Sequence, residues 1–251
     1  MYRSASTHAI VIRRERLGEF HKNVVLLTSD LGLVRATAYG AYKMQSHLRL
    51  GSEPFTHSRV VLYTNPVSKS SKVMELEIRE TFPSLPADLS RLAAASLWAE
   101  VVIKSFGAGE VSDRLFHLLL DSLRLLDASD ARRQPYLVIQ FLWRFLALAG
   151  YQPDIRSCER CGAPLGEGAP AFHAPSAAGF LCAPCGRSGG NLLPAGALRY
   201  LAASQSLPIE RAADIQLEPD GLRSLRVALP EMVQSVIEGE LTSLRCLGAA
   251  T

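Results

Sequence analysis

The chain has no run of about 18 consecutive apolar residues, so a membrane-spanning helix is not expected. Its first residues include Arg3, Ser4, Ser6, Thr7 and His8, where a secretion signal needs a hydrophobic stretch, and a cytoplasmic protein is expected. Three nucleotide and metal signatures are missing: the Gly-x-x-x-x-Gly-Lys-Ser/Thr phosphate loop, Gly-x-Gly-x-x-Gly after a strand, and His-Glu-x-x-His. ATP-driven or hydrolytic chemistry therefore has no visible carrier. Histidines are few and scattered (His8, His21, His47, His57, His117, His173), and no pair of carboxylates stands apart from ordinary surface charge. Cysteines number only five, which in a cytoplasmic chain argues against a disulfide framework.

What is present is unevenly distributed. The net charge of +3 conceals a basic N-terminal third: residues 1–80 hold 12 Lys and Arg against 7 Asp and Glu, residues 81–150 hold 7 against 7, and residues 151–251 hold 8 against 10. A local excess of positive charge attracts phosphate backbones, although a basic soluble surface has the same composition. With 48% hydrophobic residues over 251 positions, the chain can bury a real core in one large or two small domains.

Residues 1–80 read as five short strands at about 8–13, 24–28, 33–39, 58–63 and 73–79, separated by turn chemistry such as Asp30-Leu31-Gly32 and Asn65-Pro66. In the last, Met74, Leu76 and Ile78 alternate with Glu75, Glu77 and Arg79, as a half-buried strand requires. Five strands in so short a span fit an OB-fold barrel, and an SH3-like barrel fits the same pattern. From Phe82-Pro83 onward the period becomes helical. One helix is expected over 89–106, capped by Asp88 and stopped before Gly107; a second starts at a Ser112 cap and runs to about Leu126; a third has Pro135 in its first turn and Gly150 as its stop. These three are expected to form a bundle core. Further helices are expected over 195–206 and 221–247, the second kinked or interrupted at Pro230. The fold class is thus α+β: a barrel domain over 1–80 and a helical domain over 81–251, with a metal-binding insertion at about 151–190.

That insertion holds Cys158-Glu159-Arg160-Cys161 and Cys182-Ala183-Pro184-Cys185, the spacing of a four-cysteine zinc ribbon. Two intervening residues let one tight turn aim both sulfurs at a tetrahedral ion, and Gly162 and Gly186 follow each pair where a turn often needs positive φ. Four protein thiolates leave no open coordination position, so one structural Zn2+ is expected. The rival is a redox Cys-x-x-Cys, which normally uses one pair near a βαβ unit.

An OB-fold binds strands across one face and between two loops, and both loops are basic here. The first, residues 13–22, contributes Arg13, Arg14, Arg16 and Lys22; the second, residues 65–72, contributes Lys69 and Lys72. Arg35 is expected on strand 3 and Lys43 just beyond it. Tyr39 and Tyr42 follow closely enough to serve as stacking platforms for bases, or else they close the barrel end. Flexible Lys and Arg meet phosphates rather than base edges, so binding of single strands without sequence preference is expected.

These residues together resemble the RecO family of bacterial recombination mediators. The likeness runs through Gly18-Glu19, Leu26-Leu27-Thr28, Gly32-Leu33, Gly40-Ala41, Ser46 and Pro54-Phe55. It strengthens at Gly150-Tyr151-Gln152-Pro153, Cys158-x-x-Cys161-Gly162, Phe172 and Gly179-Phe180-Leu181-Cys182-x-x-Cys185, and reaches Leu241-Thr242-Ser243-Leu244. The resemblance implies an OB-fold, a helical domain and a zinc ribbon. It also implies binding of single- and double-stranded DNA, annealing of complementary strands, partnership with RecR and with the acidic tail of single-stranded DNA-binding protein, and help in loading RecA at gaps. Family members often carry consecutive basic residues after the Gly-Ala, whereas Gly40-Ala41-Tyr42-Lys43-Met44 holds Lys43 alone. Two other classes fit parts of the sequence: a nucleic-acid-modifying enzyme with a scaffolding ribbon, and a zinc-ribbon interaction protein without DNA binding.

Overall fold

The computed structural model describes residues 4–105, 113–166, 168–175, 177, 179–187, 189–237 and 239–249. The chain divides into two compact units, Met1–Asp127 and Ala128–Thr251.

The first unit is built on a closed barrel of five strands: β1 (Ser4–Leu17), β2 (His21–Thr28), β3 (Leu33–Ala38), β4 (His57–Thr64) and β5 (Ser71–Glu80), in the order β1-β2-β3-β5-β4. All pairs are antiparallel except β3 with β5. A short helix, α1 (Leu48–Gly51), lies between β3 and β4 in sequence and sends Leu48 into the barrel core beside Val11, Val24, Leu26, Ala36, Val60, Leu62 and Val73. This is the OB-fold arrangement, and closure removes the free edges that five short strands would otherwise expose.

Every strand but β3 is longer than its apolar run suggested, because hairpin pairing carries polar residues along with it. The first loop suffers most. Residues 13–17 belong to β1 and residues 21–22 to β2, so the turn between them is only Gly18–Phe20.

Two bulges reset which side chains face inward. Between Val11 and Arg13 the register shifts by one: Val11 opposes Leu26, both in the core, while Arg13 opposes Val25. Strict alternation would have turned Arg13 inward, and the extra residue, Ile12, turns it out. In β5 the register slips at Met74, with Leu62 opposite Val73 and Val61 opposite Glu75. Val73 and Leu76 therefore pack on the core while Met74 is 45% exposed, which corrects the simple alternation read from the sequence.

Helices α2 (Ser84–Ala87), α3 (Leu89–Ser105) and α4 (Asp113–Ala128) follow. Asp88 caps α3 as expected: its Oδ1 accepts the backbone N–H groups of Ser90 and Arg91 at 2.8 and 3.1 Å. The expected stop at Phe106-Gly107 and the cap at Ser112 fall outside the described residues.

The second unit opens with α5 (Gln134–Leu148), which carries Pro135 in its first turn. Gly150, at φ +79°, ends it in a Schellman motif: Tyr151 N–H donates to Leu146 O at 2.8 Å and Gly150 N–H to Ala147 O at 3.2 Å. The three helices expected to share one bundle are divided: α3 lies wholly in the first unit and α4 all but its last residue, while α5 packs within the second. The ribbon supplies β6 (Ala171–His173), α6 (Ala183–Gly186) and β7 (Asn191–Leu193), with β6 and β7 antiparallel. Then come α7 (Ala195–Gln205), α8 (Ile209–Ala212), α9 (Pro219–Val236) and α10 (Ser243–Ala249).

α5 packs on α8 and α9, and buried polar groups fix the register. Gln140 donates to the Tyr200 hydroxyl at 2.9 Å, and Tyr200 in turn donates to Ala212 O at 3.3 Å. Burial pushes the Tyr200 phenol up to about 12, so it stays a neutral donor. Pro230 lies inside α9 without ending it; the break falls at Ile237, whose extended backbone (ψ 158°) precedes Gly239 at φ +78°.

Candidate nucleic-acid interface and metal centre

Hairpin parity sorts the barrel's cations into two groups. On the outer face, cross-strand neighbours form two rungs: Arg13, Val25 and Arg35 on one, and Glu15, Asn23, Thr37 and Lys72 on the next. Arg13 pairs with Glu15 at 2.8 Å. Arg35, Lys69 and Lys72 have no carboxylate partner among the described residues. Lys72 instead places its ammonium over the Tyr63 ring, 4.9 Å from the centroid. Lys69 stands exposed in the β4–β5 turn with φ +57°, one residue before Ser70. That turn is tied by the Asn65 side chain, whose Oδ1 accepts N–H groups from Val67 and Ser68 at 2.8 and 3.2 Å.

At one end of the barrel, Arg14, Arg16 and Lys22 share the inward parity of Val24 and converge on Tyr42. The Tyr42 hydroxyl accepts from Arg14 Nη1 at 3.0 Å, and its ring lies 5.4 Å from the Arg16 guanidinium and 4.9 Å from Lys22 Nζ. Glu53 closes the cluster, with one oxygen 2.8 Å from Arg14 Nε and the other 2.8 Å from Lys22 Nζ.

Lys22 was expected to meet phosphate, and this is corrected. It is 0% exposed, and its three donors go to Arg49 O, Ser52 Oγ and Glu53 Oε1. It is an internal fastener for the segment holding α1.

The aromatic expectation changes as well. Tyr39 is 57% exposed, with His21 edge-on to its ring at 5.1 Å, whereas Tyr42 is half-buried under cations. Exposed Phe20, at the tip of the β1–β2 turn, was missed; Lys43 Nζ lies 5.9 Å from its ring centroid. The available signal was a large aromatic, Phe20, directly after Gly18-Glu19 in a stretch otherwise polar and charged.

In the second unit the four predicted cysteines come together. Their sulfurs all lie within 4.8 Å of one another, with Cys161 and Cys182 at 3.7 Å. Four sulfurs each ~2.3 Å from a central ion would be about 3.8 Å apart, whereas a disulfide needs about 2.05 Å. All five cysteines are free, and Cys246 lies in α10, outside the group. Each pair sits on its own tight turn: Gly162 N–H donates to Cys158 O at 2.8 Å and Gly186 N–H to Cys182 O at 2.9 Å.

Gly162 has the expected positive φ of 71°, but Gly186 does not; a Cβ there would lie 2.3 Å from Phe172 Cβ, so close packing is what requires it. The Cys182 backbone N–H, ahead of other donors, draws the Cys158 thiol down to about 6, and hydrogen bonding with Cys161 pushes Cys185 up to about 12. Four thiols this close cannot all ionise unaided; a divalent cation at the centre resolves that repulsion. The cluster can bind a metal ion.

Comparison with known proteins adds identity to this geometry. Residues 1–82 match the family model described as Recombination protein O N terminal, and residues 86–245 match Recombination protein O C terminal. The chain belongs to the RecO family. A curated RecO relative, the DNA repair protein RecO of Pelotomaculum thermopropionicum, is 32% identical over 237 residues, covering 94% of this chain and 90% of the relative. The RecO of Anaeromyxobacter dehalogenans is 32% identical over 97% of this chain and 95% of its own length. Among the described residues no helix is long and apolar enough to cross a membrane.

Proposed function

We propose that this chain is a cytoplasmic recombination mediator of DNA repair, acting at the nucleoid, that binds single- and double-stranded DNA and anneals complementary strands without ATP. With RecR it helps RecA replace single-stranded DNA-binding protein at gaps, and it engages the acidic tail of that protein. It performs no covalent chemistry. The nucleic-acid domain is residues 1–80, and residues 81–251 form the helical domain, whose ribbon at about 151–190 holds one structural Zn2+. Four thiolates suit Zn2+ over harder ions and leave no ligand position for substrate.

The observation that carries the DNA reading is the pair of outer rungs holding Arg13, Arg35 and Lys72 with one carboxylate, Glu15, on them, and with Lys69 exposed in the β4–β5 turn that precedes Lys72. Two DNA strands repel through their phosphates. A surface that neutralises both lowers that barrier, and base pairing supplies the driving force, so no nucleotide hydrolysis is needed. Arg16 and Lys43, with the exposed rings of Phe20 and Tyr39, extend the cationic surface at the barrel end; Arg14 and Tyr42 contribute less, being engaged with Glu53 and with each other.

The test is ATP-free annealing of complementary oligonucleotides by the zinc-loaded protein and by a variant with Arg13, Arg35, Lys69 and Lys72 changed to Glu. Annealing by the wild type and its loss in a folded variant is expected; equal annealing by both would place the DNA surface elsewhere.

A further inference from the structure

The four sulfurs of the ribbon lie close together but are unequally sheltered. Cys158 is 2% exposed and belongs to a small apolar core with Ala174, Ala177 and Leu181, against which Cys182 and Cys185 pack. Cys161 is exposed and takes no part in that core. Its turn is open as well: a Cβ on Gly162 would meet no atom within 4 Å beyond its chain neighbours, whereas one on Gly186 of the second turn would lie 2.3 Å from Phe172 Cβ. One thiol of the four is thus presented to solvent, with the Cys182 sulfur 3.7 Å away.

An exposed thiolate beside a second one is the arrangement that oxidants select. Metal binding keeps both sulfurs deprotonated at neutral pH. Hydrogen bonds outside the sulfurs hold the two turns together: Glu159 N–H donates to Phe180 O at 2.9 Å and Arg160 Nη1 donates to Cys185 O at 2.8 Å.

We infer that the ribbon is a redox-sensitive device, in which hydrogen peroxide converts Cys161 and Cys182 to a disulfide and Zn2+ is released. The inference rests on the zinc reading of the four-cysteine group and adds to it a response to oxidant. The Cys161 thiolate attacks one oxygen of the peroxide; the O–O bond breaks, hydroxide leaves and Cys161 becomes a sulfenic acid. The Cys182 thiolate then attacks that sulfur; the S–S bond forms and the S–O bond breaks, releasing a second hydroxide. Peroxide gains two electrons and the two thiolates lose them. Only Cys158 and Cys185 are left as thiolates, too few to retain Zn2+ against a chelator. A thiol reductant with Zn2+ restores the site.

The experiment treats the zinc-loaded full chain with hydrogen peroxide in the presence of a chromogenic zinc chelator and then maps disulfides by mass spectrometry. Cleavage after Arg160 and Glu167 puts Cys161 on one fragment and Cys182 and Cys185 on another, and fragment spectra tell those two apart. Two variants accompany the wild type: Cys246→Ser removes the exposed thiol of α10, and Cys161→His keeps a zinc-binding side chain that cannot form a disulfide. Wild type and Cys246→Ser are expected to lose their zinc, to gain the Cys161–Cys182 bond and to recover zinc on reduction, while Cys161→His keeps its zinc under the same treatment. The wild-type bond map decides the matter even where Cys161→His fails to load. Zinc retained by the peroxide-treated wild type, or zinc lost with the disulfide formed elsewhere, overturns the inference and leaves the structural zinc standing. A wild type that binds no zinc at all overturns both.

Discussion

Arg13 and Arg14 are neighbours in sequence and have opposite fates. Arg13, turned out by the bulge at Ile12, borders an open cleft beside Arg35. Arg14 turns toward the barrel end and is held by Glu53 and Tyr42. The outer face keeps its cations available by spacing them across strands. The barrel end commits Lys22 completely and Arg14 in part to structure, through Glu53. A basic stretch in a hairpin is therefore two surfaces, and the strand register decides which half can meet a ligand.

The largest expected effect lies outside both surfaces and tests whether the barrel stands alone. Removing Zn2+ with a chelator, or changing Cys158 to Ser, should unfold the ribbon, since a four-thiolate site contributes about 10–16 kcal/mol of apparent binding free energy. Zinc content and ribbon protection from proteolysis report this, while salt-dependent DNA binding by the barrel should persist. Next, Lys22→Met leaves Glu53 without its buried partner and should cost about 3 kcal/mol, at the low end for a broken buried pair because Glu53 itself reaches water. Denaturant melting measures it, and the DNA salt slope should stay as it was.

Gly186→Ala drives a methyl into Phe172 and should cost about 1–3 kcal/mol, read as weaker zinc retention during competition with a chelator. The smallest effect is on pH. His57 has its pKa lowered, first by burial, and Glu80 has its pKa lowered, first by its hydrogen bonds from Arg124. In each case the unfolded chain takes a proton before the folded one, so stability is present above the ordinary values of 6.5 and 4.5 and is lost as pH falls through them. Melting temperature should therefore decline from about pH 6.5 downward and less steeply in His57→Gln.

The parts of this molecule that local chemistry dictates were legible in the sequence. Cys158 and Cys161 can serve one ion only through a turn that their own spacing builds, and Asp88 caps α3 with donors two and three residues away. Gly150 likewise terminates the helix that precedes it. What could not be read depends on partners distant in sequence. The enclosure of Lys22 is made by Arg49, Ser52 and Glu53, some 30 residues on, and the inward turn of Arg14 by a bulge that no residue type announces. Pro230 does not interrupt α9 for a related reason: Leu225 and Leu229 before it and Met232 and Val233 after it are buried together.

The most direct test is the salt dependence of single-strand binding by three proteins: wild type, an outer-face variant with Arg13, Arg35, Lys69 and Lys72 changed to Gln, and a closed-end variant with Arg14 changed to Gln. If four phosphates are neutralised, log K should fall with log salt at a slope of about −2.8 in the wild type. That slope should flatten toward zero in the outer-face variant and shift by no more than about 0.7 in the closed-end variant. A steep slope retained by the outer-face variant and lost with Arg14 alone would contradict the assignment of the two surfaces.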